Sequence, residues 1–232
     1  MARPASGIEI EAKLGVDLPE LVQSLIETPD PARLAGFEAA GPVVLVVIVD
    51  RYLDTAMEAG SLAAGGLRAR LRQRESDHSG ATVLAVKVPR SMAGAVSTRV
   101  ELEAPATTDL DPEAWPDSEA RAMLLAATGG APLVEIARLR QRRLTRLVSR
   151  GETVVELSLD ALEAIADDVV VAVRDELEAE LQAGDPGALQ ELAEALTAID
   201  GVGPPLGSKL QFALSAQRAA RRPAEQARWS ER

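Results

Sequence analysis

The chain has 232 residues, no cysteine, one histidine and a formal net charge of −11 at neutral pH. That length suits one large domain or two small ones, with a core that needs no covalent staple. The composition excludes disulfides, thiolate metal sites and a cysteine nucleophile. His78, set between Asp77 and Ser79-Gly80, reads as part of a solvated turn, so a histidine metal site or a serine–histidine–acid triad is a poor expectation. The acidic balance and 2% aromatic content argue against nucleic-acid binding, which relies on a basic footprint or on rings that stack bases. The longest apolar run, Pro42 to Val49, is too short to span a bilayer, and the opening Met-Ala-Arg-Pro-Ala-Ser-Gly lacks a signal-peptide core. A soluble cytoplasmic protein with no membrane partner is expected.

In chain order, the first element is a strand, Ile8 to Leu14, with Glu9, Glu11 and Lys13 on one face and Ile8, Ile10, Ala12 and Leu14 on the other. A helix from Leu18 to Glu27 follows, with Asp17 as candidate N-cap and Pro19 suited to the first turn. Leu67 to Arg74 puts Arg68, Arg70, Arg72 and Arg74 on one strand face, and Thr82 to Val88 ends the Val83 and Ala85 face with Lys87. Arg99, Glu101 and Glu103 alternate with Val100 and Leu102; an acidic connection, Pro105 to Pro116, comes next. A second helix covers Glu119 to Ala127, after the N-cap candidates Asp117 and Ser118. Arg138, Arg140 and Arg142 alternate with Leu139 and Gln141; Glu156, Ser158 and Asp160 alternate with Val155, Leu157 and Leu159. Leu162 to Ala172 suits strand or helix equally. Glu176, Glu178 and Glu180 share a strand face. Asp185 opens a third helix to Ile199, with Leu189, Leu192, Leu196 and Ile199 on one side, and Lys209 to Arg222 makes a fourth that leads into a charged tail. Trp115 and Trp229 fall in a loop and in that tail. The class is α+β with antiparallel strands, and there is neither a glycine-rich phosphate loop nor a βαβ pattern.

An antiparallel strand often packs one face on the core and turns charge to water, which explains any single segment above. Seven together are harder to explain so, because acidic, arginine-rich and mixed faces are sorted between strands. Faces pointing to solvent have no need of such sorting. Faces lining one interior do: acidic strands supply metal ligands and basic strands supply anion ligands. Burying so much charge requires pairing or coordination. A polyphosphate with divalent cations fits, since arginine forks match phosphate oxygens and hard cations take carboxylate oxygen.

The residues that carry this pattern resemble the CYTH superfamily, or triphosphate tunnel metalloenzymes, which includes class IV adenylyl cyclases, thiamine triphosphatases, inorganic triphosphatases and fungal-type RNA triphosphatases. Glu9-Ile-Glu11-Ala-Lys13 resembles the family's Glu-x-Glu-x-Lys opening, and Tyr52-Leu53-Asp54-Thr55 its Tyr-x-Asp-Thr strand end. Leu67-Arg68-Ala69-Arg70 resembles Leu-Arg-x-Arg, Val86-Lys87 the strand-terminal lysine, and Arg99-Val-Glu101-Leu-Glu103 Arg-x-Glu-x-Glu. The run from Arg138 to Arg143 is similar to the basic middle strand and Glu156 to Asp160 to the strand with an acidic residue. Glu176 to Glu180 is similar to the late Glu-x-Glu, and Ser208-Lys209 to the C-terminal Ser-Lys. The set runs in order from residue 8 to about 214.

The resemblance implies an eight-stranded antiparallel β-barrel, the triphosphate tunnel, with helices packed outside. It implies a tunnel domain over 1–216 and a charged, flexible tail over 217–232. It further implies metal binding by Glu9 and Glu11 with carboxylates from Glu176, Glu178 or Glu180. Lys13, Arg68, Arg70, Lys87, Arg140, Arg142 and Lys209 would grip phosphate, strand parity favouring the even-numbered arginines over Arg143. Glu101, Glu103 and Asp160 would position a second metal, a water or a basic side chain, completing a catalytic set with Glu9, Glu11 and Lys13. The implied cofactor is Mg²⁺ or Mn²⁺, and the implied ligand a triphosphate-containing small molecule or short polyphosphate. A homodimer is compatible. The expected activity is hydrolysis of inorganic triphosphate or a small organic triphosphate; alternatives are a class IV-type adenylyl cyclase and a non-catalytic polyphosphate or nucleotide binder.

Overall fold

The structure, a computed structural model, describes residues 6–56, 61–75, 81–93, 96–204 and 207–230. His78 lies outside the described residues. The elements in order are β1 (Ser6–Val16), α1 (Pro19–Glu27), β2 (Glu38–Ala39), β3 (Val44–Thr55), α2 (Ser61–Ala64), β4 (Arg68–Arg74), β5 (Thr82–Ala93) and β6 (Val96–Ala106). There follow α3 (Glu119–Thr128), β7 (Leu133–Arg150), β8 (Thr153–Ala166), β9 (Val169–Ala183), α4 (Pro186–Thr197), β10 (Val202–Gly203) and α5 (Lys209–Ser230).

Hydrogen-bonded neighbours run β1-β6-β5-β4-β3-β7-β8-β9, and β9 pairs back onto β1, so eight antiparallel strands close into a barrel. The two-residue strands β2 and β10 add to β7 and β1. Closure leaves the barrel strands no free edge. The segment that fitted strand or helix equally, Leu162 to Ala172, forms the hairpin between β8 and β9, with Asp167 and Asp168 at positive φ in its turn.

The helices sit where the alternation leaves apolar faces. Val22, Leu25 and Ile26 of α1 and Leu189, Leu192 and Leu196 of α4 bury against Leu14, Leu157, Leu177 and Ala179. Leu62 of α2 and Leu124 of α3 cover Leu53, Leu71, Leu84 and Val86, joined by Trp115. Ser118 caps α3 by accepting from the Arg121 backbone N–H, and Asp185 caps α4 by accepting from that of Gly187. The expected cap of α1 differs: Leu18 occupies the cap, and the Asp17 backbone N–H donates to the Gly201 carbonyl instead. Gly184 ends β9 at φ +95°, where a Cβ would come within 2.5 Å of Thr153 Cα, so glycine alone fits this turn.

The last helix is placed differently. Leu210, Phe212 and Ala213 of α5 pack with Tyr52, Ala137, Leu139 and Ala164, which belong to the inward-facing rows of their strands. Thus α5 lies at one end of the barrel interior. It continues to Ser230, through the segment expected to be a flexible tail.

Candidate active site

The pleat sends Glu9, Glu11 and Lys13 of β1, Arg68, Arg70 and Arg72 of β4, Lys87 of β5 and Arg99 and Glu101 of β6 into the barrel. Together with Arg143, Glu178, Glu180 and Lys209 they line one cavity, its wall formed mostly of charged side chains. Register explains the grouping. Arg68 stands opposite Lys87, and Lys87 opposite Glu101. Glu11 stands opposite Glu180, and Lys13 opposite Glu178, where β1 and β9 close the barrel. Glu103 lies farther along β6, in an adjoining space with Glu9, Glu101 and Glu180.

The charges form two linked groups. On the basic side, Lys87 Nζ lies 3.0 Å from a Glu9 oxygen and 3.1 Å from Glu101. Arg99 Nε donates to Glu9 at 2.7 Å, and its Nη2 pairs with Glu11. Arg70 reaches Glu101 at 3.5 Å and Asp50 at 3.3 Å. Burial pushes the Glu9 carboxyl up, but Lys87 and Arg99 overcome it and hold Glu9 well below the usual carboxylate range.

On the acidic side, Asp160, Glu176 and Glu178 each offer an oxygen within 4.8 Å of the others. Arg143 donates to Asp160 at 2.7 Å and to Glu178 at 2.5 Å. Lys209, at the first position of α5, pairs with Asp160 and lies 3.3 Å from both Glu176 and Glu178. Lys13 pairs with Glu178 and lies 3.5 Å from Glu176 and 3.6 Å from Glu11. Burial alone pushes Lys13 down, yet Glu178 and Glu176 raise it above its ordinary value. Burial likewise pushes Glu178 up, and Lys13, Lys209 and Arg143 bring it well below its ordinary value. Glu9, Lys13 and Glu178 are therefore charged at neutral pH.

A divalent cation suits this acidic side. The donors are all carboxylate oxygens, the ligands that hard cations take. Glu176 Oε1 and Glu11 Oε1 are buried without a hydrogen bond, although cations face both. Glu180, opposite Glu11, adds a further carboxylate at the β1–β9 seam.

Two expected phosphate ligands lie elsewhere. Arg140 is on the outer face of β7, where it pairs with Glu75 at 2.8 Å and Glu163 at 3.3 Å, and Arg142 is exposed. The parity is reversed because the apolar row of β7, Ala137 and Leu139, faces inward against α5 rather than outward beneath a helix. Gln141 and Arg143 continue that inward row, so Arg143 is the arginine that β7 brings to the cavity.

Other cavity residues were legible but passed over. Arg72 shares a face with Arg68 and Arg70, and Arg99 with Glu101. Asp50, buried on the row of Tyr52 behind Arg70 and Arg72, follows the apolar run Pro42 to Val49 and gave no sign of polar function. Asp54, part of the Tyr-x-Asp-Thr segment, accepts from the backbone N–H groups of Thr55, Leu62 and Ala63 and so ties the end of β3 to the first turn of α2.

The fold is shared with solved proteins. HpAC1 from Hippeastrum, described as a candidate adenylyl cyclase with a dominant triphosphatase activity, superposes with a TM-score of 0.66 at 21% identity, over 90% of this chain and 96% of that one. A candidate adenylate cyclase from Vibrio parahaemolyticus gives 0.47 at 16% identity, covering 90% of this chain and 98% of that one. The Pct1 RNA triphosphatase of S. pombe gives 0.37 at 15% identity, covering 97% and 85%. Of the three, HpAC1 alone shares the fold at a TM-score above 0.5. No curated protein matches the chain. Residues 7–212 match the CYTH domain, nearly the whole length and all eight barrel strands, and the chain belongs to the CYTH family.

Proposed function

We propose that the protein hydrolyses inorganic triphosphate or a small organic triphosphate held in the barrel, with Mg²⁺ or Mn²⁺ as cofactor. The observation that carries this reading is the sorting of charge around one cavity. Arg68, Arg70, Arg72, Lys87 and Arg99 face it from β4, β5 and β6, while Glu178 and Glu180 face it from β9, with Asp160 and Glu176 beside them. Cations and carboxylates now neutralise one another, and a polyphosphate with a hard cation offers each set a better-matched partner.

Phosphoryl transfer needs charge neutralisation and in-line positioning more than covalent chemistry from the protein. Arg70, Arg72, Lys87 and Arg99 would hold the phosphate oxygens and stabilise charge on the leaving diphosphate. Lys13, Arg143 and Lys209, released from their carboxylates, would do the same nearer the acidic side. Glu11, Glu178 and Glu180, with Asp160 and Glu176, are the residues that would hold the divalent cation. When bound, that cation supplies Lewis-acid polarisation of phosphate oxygens and lowers the pKa of water. Water adds to the terminal phosphorus, the bridging P–O bond breaks, and orthophosphate and diphosphate leave. A carboxylate of this seam would take the proton that the water loses.

Cyclisation of ATP requires a seat for adenine. Among the described residues, the only aromatic side chain in the cavity wall is Tyr52, which is buried beside α5. The dominant triphosphatase activity given for HpAC1 also favours hydrolysis. The test is phosphate release from inorganic triphosphate with and without Mg²⁺ or Mn²⁺, beside a Glu9→Gln/Glu11→Gln variant. Metal-dependent release that the variant abolishes is the expected result. No release from triphosphate, ATP or thiamine triphosphate would instead leave a polyphosphate binder.

A further inference from the structure

Asp50 has no part in the chemistry above, yet it is fully buried on the inward row of β3. Its two oxygens accept from Arg72 Nε at 2.7 Å and Nη2 at 2.8 Å, a fork-to-fork pair. Oδ2 also accepts from Arg70 Nη1 at 3.3 Å and from Gln141 Nε2 at 3.5 Å. Asp50 stands behind these arginines, whereas both Arg70 and Arg72 line the cavity.

Arg70 and Arg72 are two residues apart on one strand face, so their guanidinium groups repel each other inside a low-dielectric barrel. A carboxylate fixed behind them offsets that repulsion and restricts their rotamers. Glu9, Glu101, Asp160 and Glu178 sit among several cations or beside a plausible metal position, and a bound ligand would redistribute their contacts. Asp50 instead grips one guanidinium at two points and a second at one, from the side away from the cavity. Arg72 then has Nη1 free of this grip, and Arg70 reaches toward Glu101 with Nη2.

We propose that Asp50 is a positioning residue: its carboxylate stays on Arg72 and Arg70 throughout and aims their remaining N–H groups at the triphosphate. This rests on the tunnel-hydrolase reading. Two effects of removing Asp50 oppose each other. Deleting a negative charge makes the cavity more attractive to an anion, while freeing two long side chains means that their freedom must be lost on binding. Positioning wins if the paired geometry matters more than the field.

The test is titration calorimetry of a non-hydrolysable imido analogue of triphosphate, with Mg²⁺, onto the wild type, Asp50→Asn, Arg72→Met and the double variant. The expected result is at least tenfold weaker binding for each single variant, with the double variant weaker than Arg72→Met by clearly less than the loss in Asp50→Asn alone, because a residue acting through others is non-additive with them. Binding by Asp50→Asn as tight as the wild type or tighter overturns the assignment, as do losses that simply add. If Asp50→Asn does not fold, Arg72→Met against the double variant decides: equal affinity supports positioning, and a further tenfold loss overturns it. A wild type that does not bind the analogue overturns the tunnel reading itself, a result distinct from the other outcomes.

Discussion

Two arginine rows in this barrel are written almost identically and do opposite things. Arg68, Arg70 and Arg72 on β4 alternate with Ala69 and Leu71; Arg138, Arg140 and Arg142 on β7 alternate with Leu139 and Gln141. On β4 the small and apolar residues lie beneath α2 and α3, which turns the arginines inward. On β7 the apolar row meets α5 inside the barrel, which turns the arginines out to Glu75, Glu135, Glu163 and Asp168. Alternation fixes which residues share a face. The helix that covers one face decides which way that face points.

The sharpest way to break this comparison is to truncate one arginine from each row. Arg70→Met should lower kcat/KM for triphosphate by about 100-fold or more, the scale of losing one preorganised donor to a developing charge. Steady-state phosphate release measures it, and a loss under threefold would contradict the inward row. Next in size is Glu178→Gln, which removes a carboxylate from the trio and takes one partner each from Lys13, Arg143 and Lys209. The metal concentration for half-maximal activity should rise about 10-fold or more, as for other changes that disturb a metal site; an unchanged metal titration would place the cation elsewhere.

The inner charges should also set a pH response. Burial raises Asp50 and Asp160, but Arg70 and Arg72, and Arg143 and Lys209 respectively, bring both below the ordinary carboxylate range. Glu9 and Glu178 are lowered in the same way. Since their folded pKa values lie below the unfolded ones, their stabilisation is complete above about pH 4 and is lost as pH falls through the folded values. Lys13 is shifted upward, so its contribution is complete below about pH 10.4 and fades only as pH rises through its folded value. The urea midpoint should hold steady from pH 6 to 9 and fall below pH 4; a midpoint flat down to pH 3 would mean the inner pairs are not formed.

The smallest effect belongs to the outer row. Arg140, Glu75 and Glu163 are each a third or more exposed, and such pairs contribute about 0–1 kcal/mol. Arg140→Met should change kcat/KM by less than about twofold and stability by about 0.5 kcal/mol at most. A large loss of activity would restore the outer row to the site.

Most of the barrel was legible because charged residues at every second position are a strong period-2 signal, as in Glu9 to Lys13 and Glu176 to Glu180. What was not legible concerned facing and depth. Arg143 follows Arg142 directly, so local pattern could not decide between them; the choice depended on α5, distant in sequence. Asp50 is a lone acid in the run from Val44 to Leu53, and its meaning appears only when β4 brings Arg70 and Arg72 alongside. The α1 cap depended on Gly201, again a partner that local sequence does not reveal.

A crystal structure with the imido analogue and Mg²⁺ would show whether the inward charges hold a triphosphate. The account predicts phosphate oxygens on Arg70, Arg72, Lys87 and Arg99, with a cation among the carboxylates of β1, β8 and β9. An analogue seated on the outer row of Arg138 to Arg142, or a tunnel still filled by its own ion pairs at saturating ligand, would contradict it.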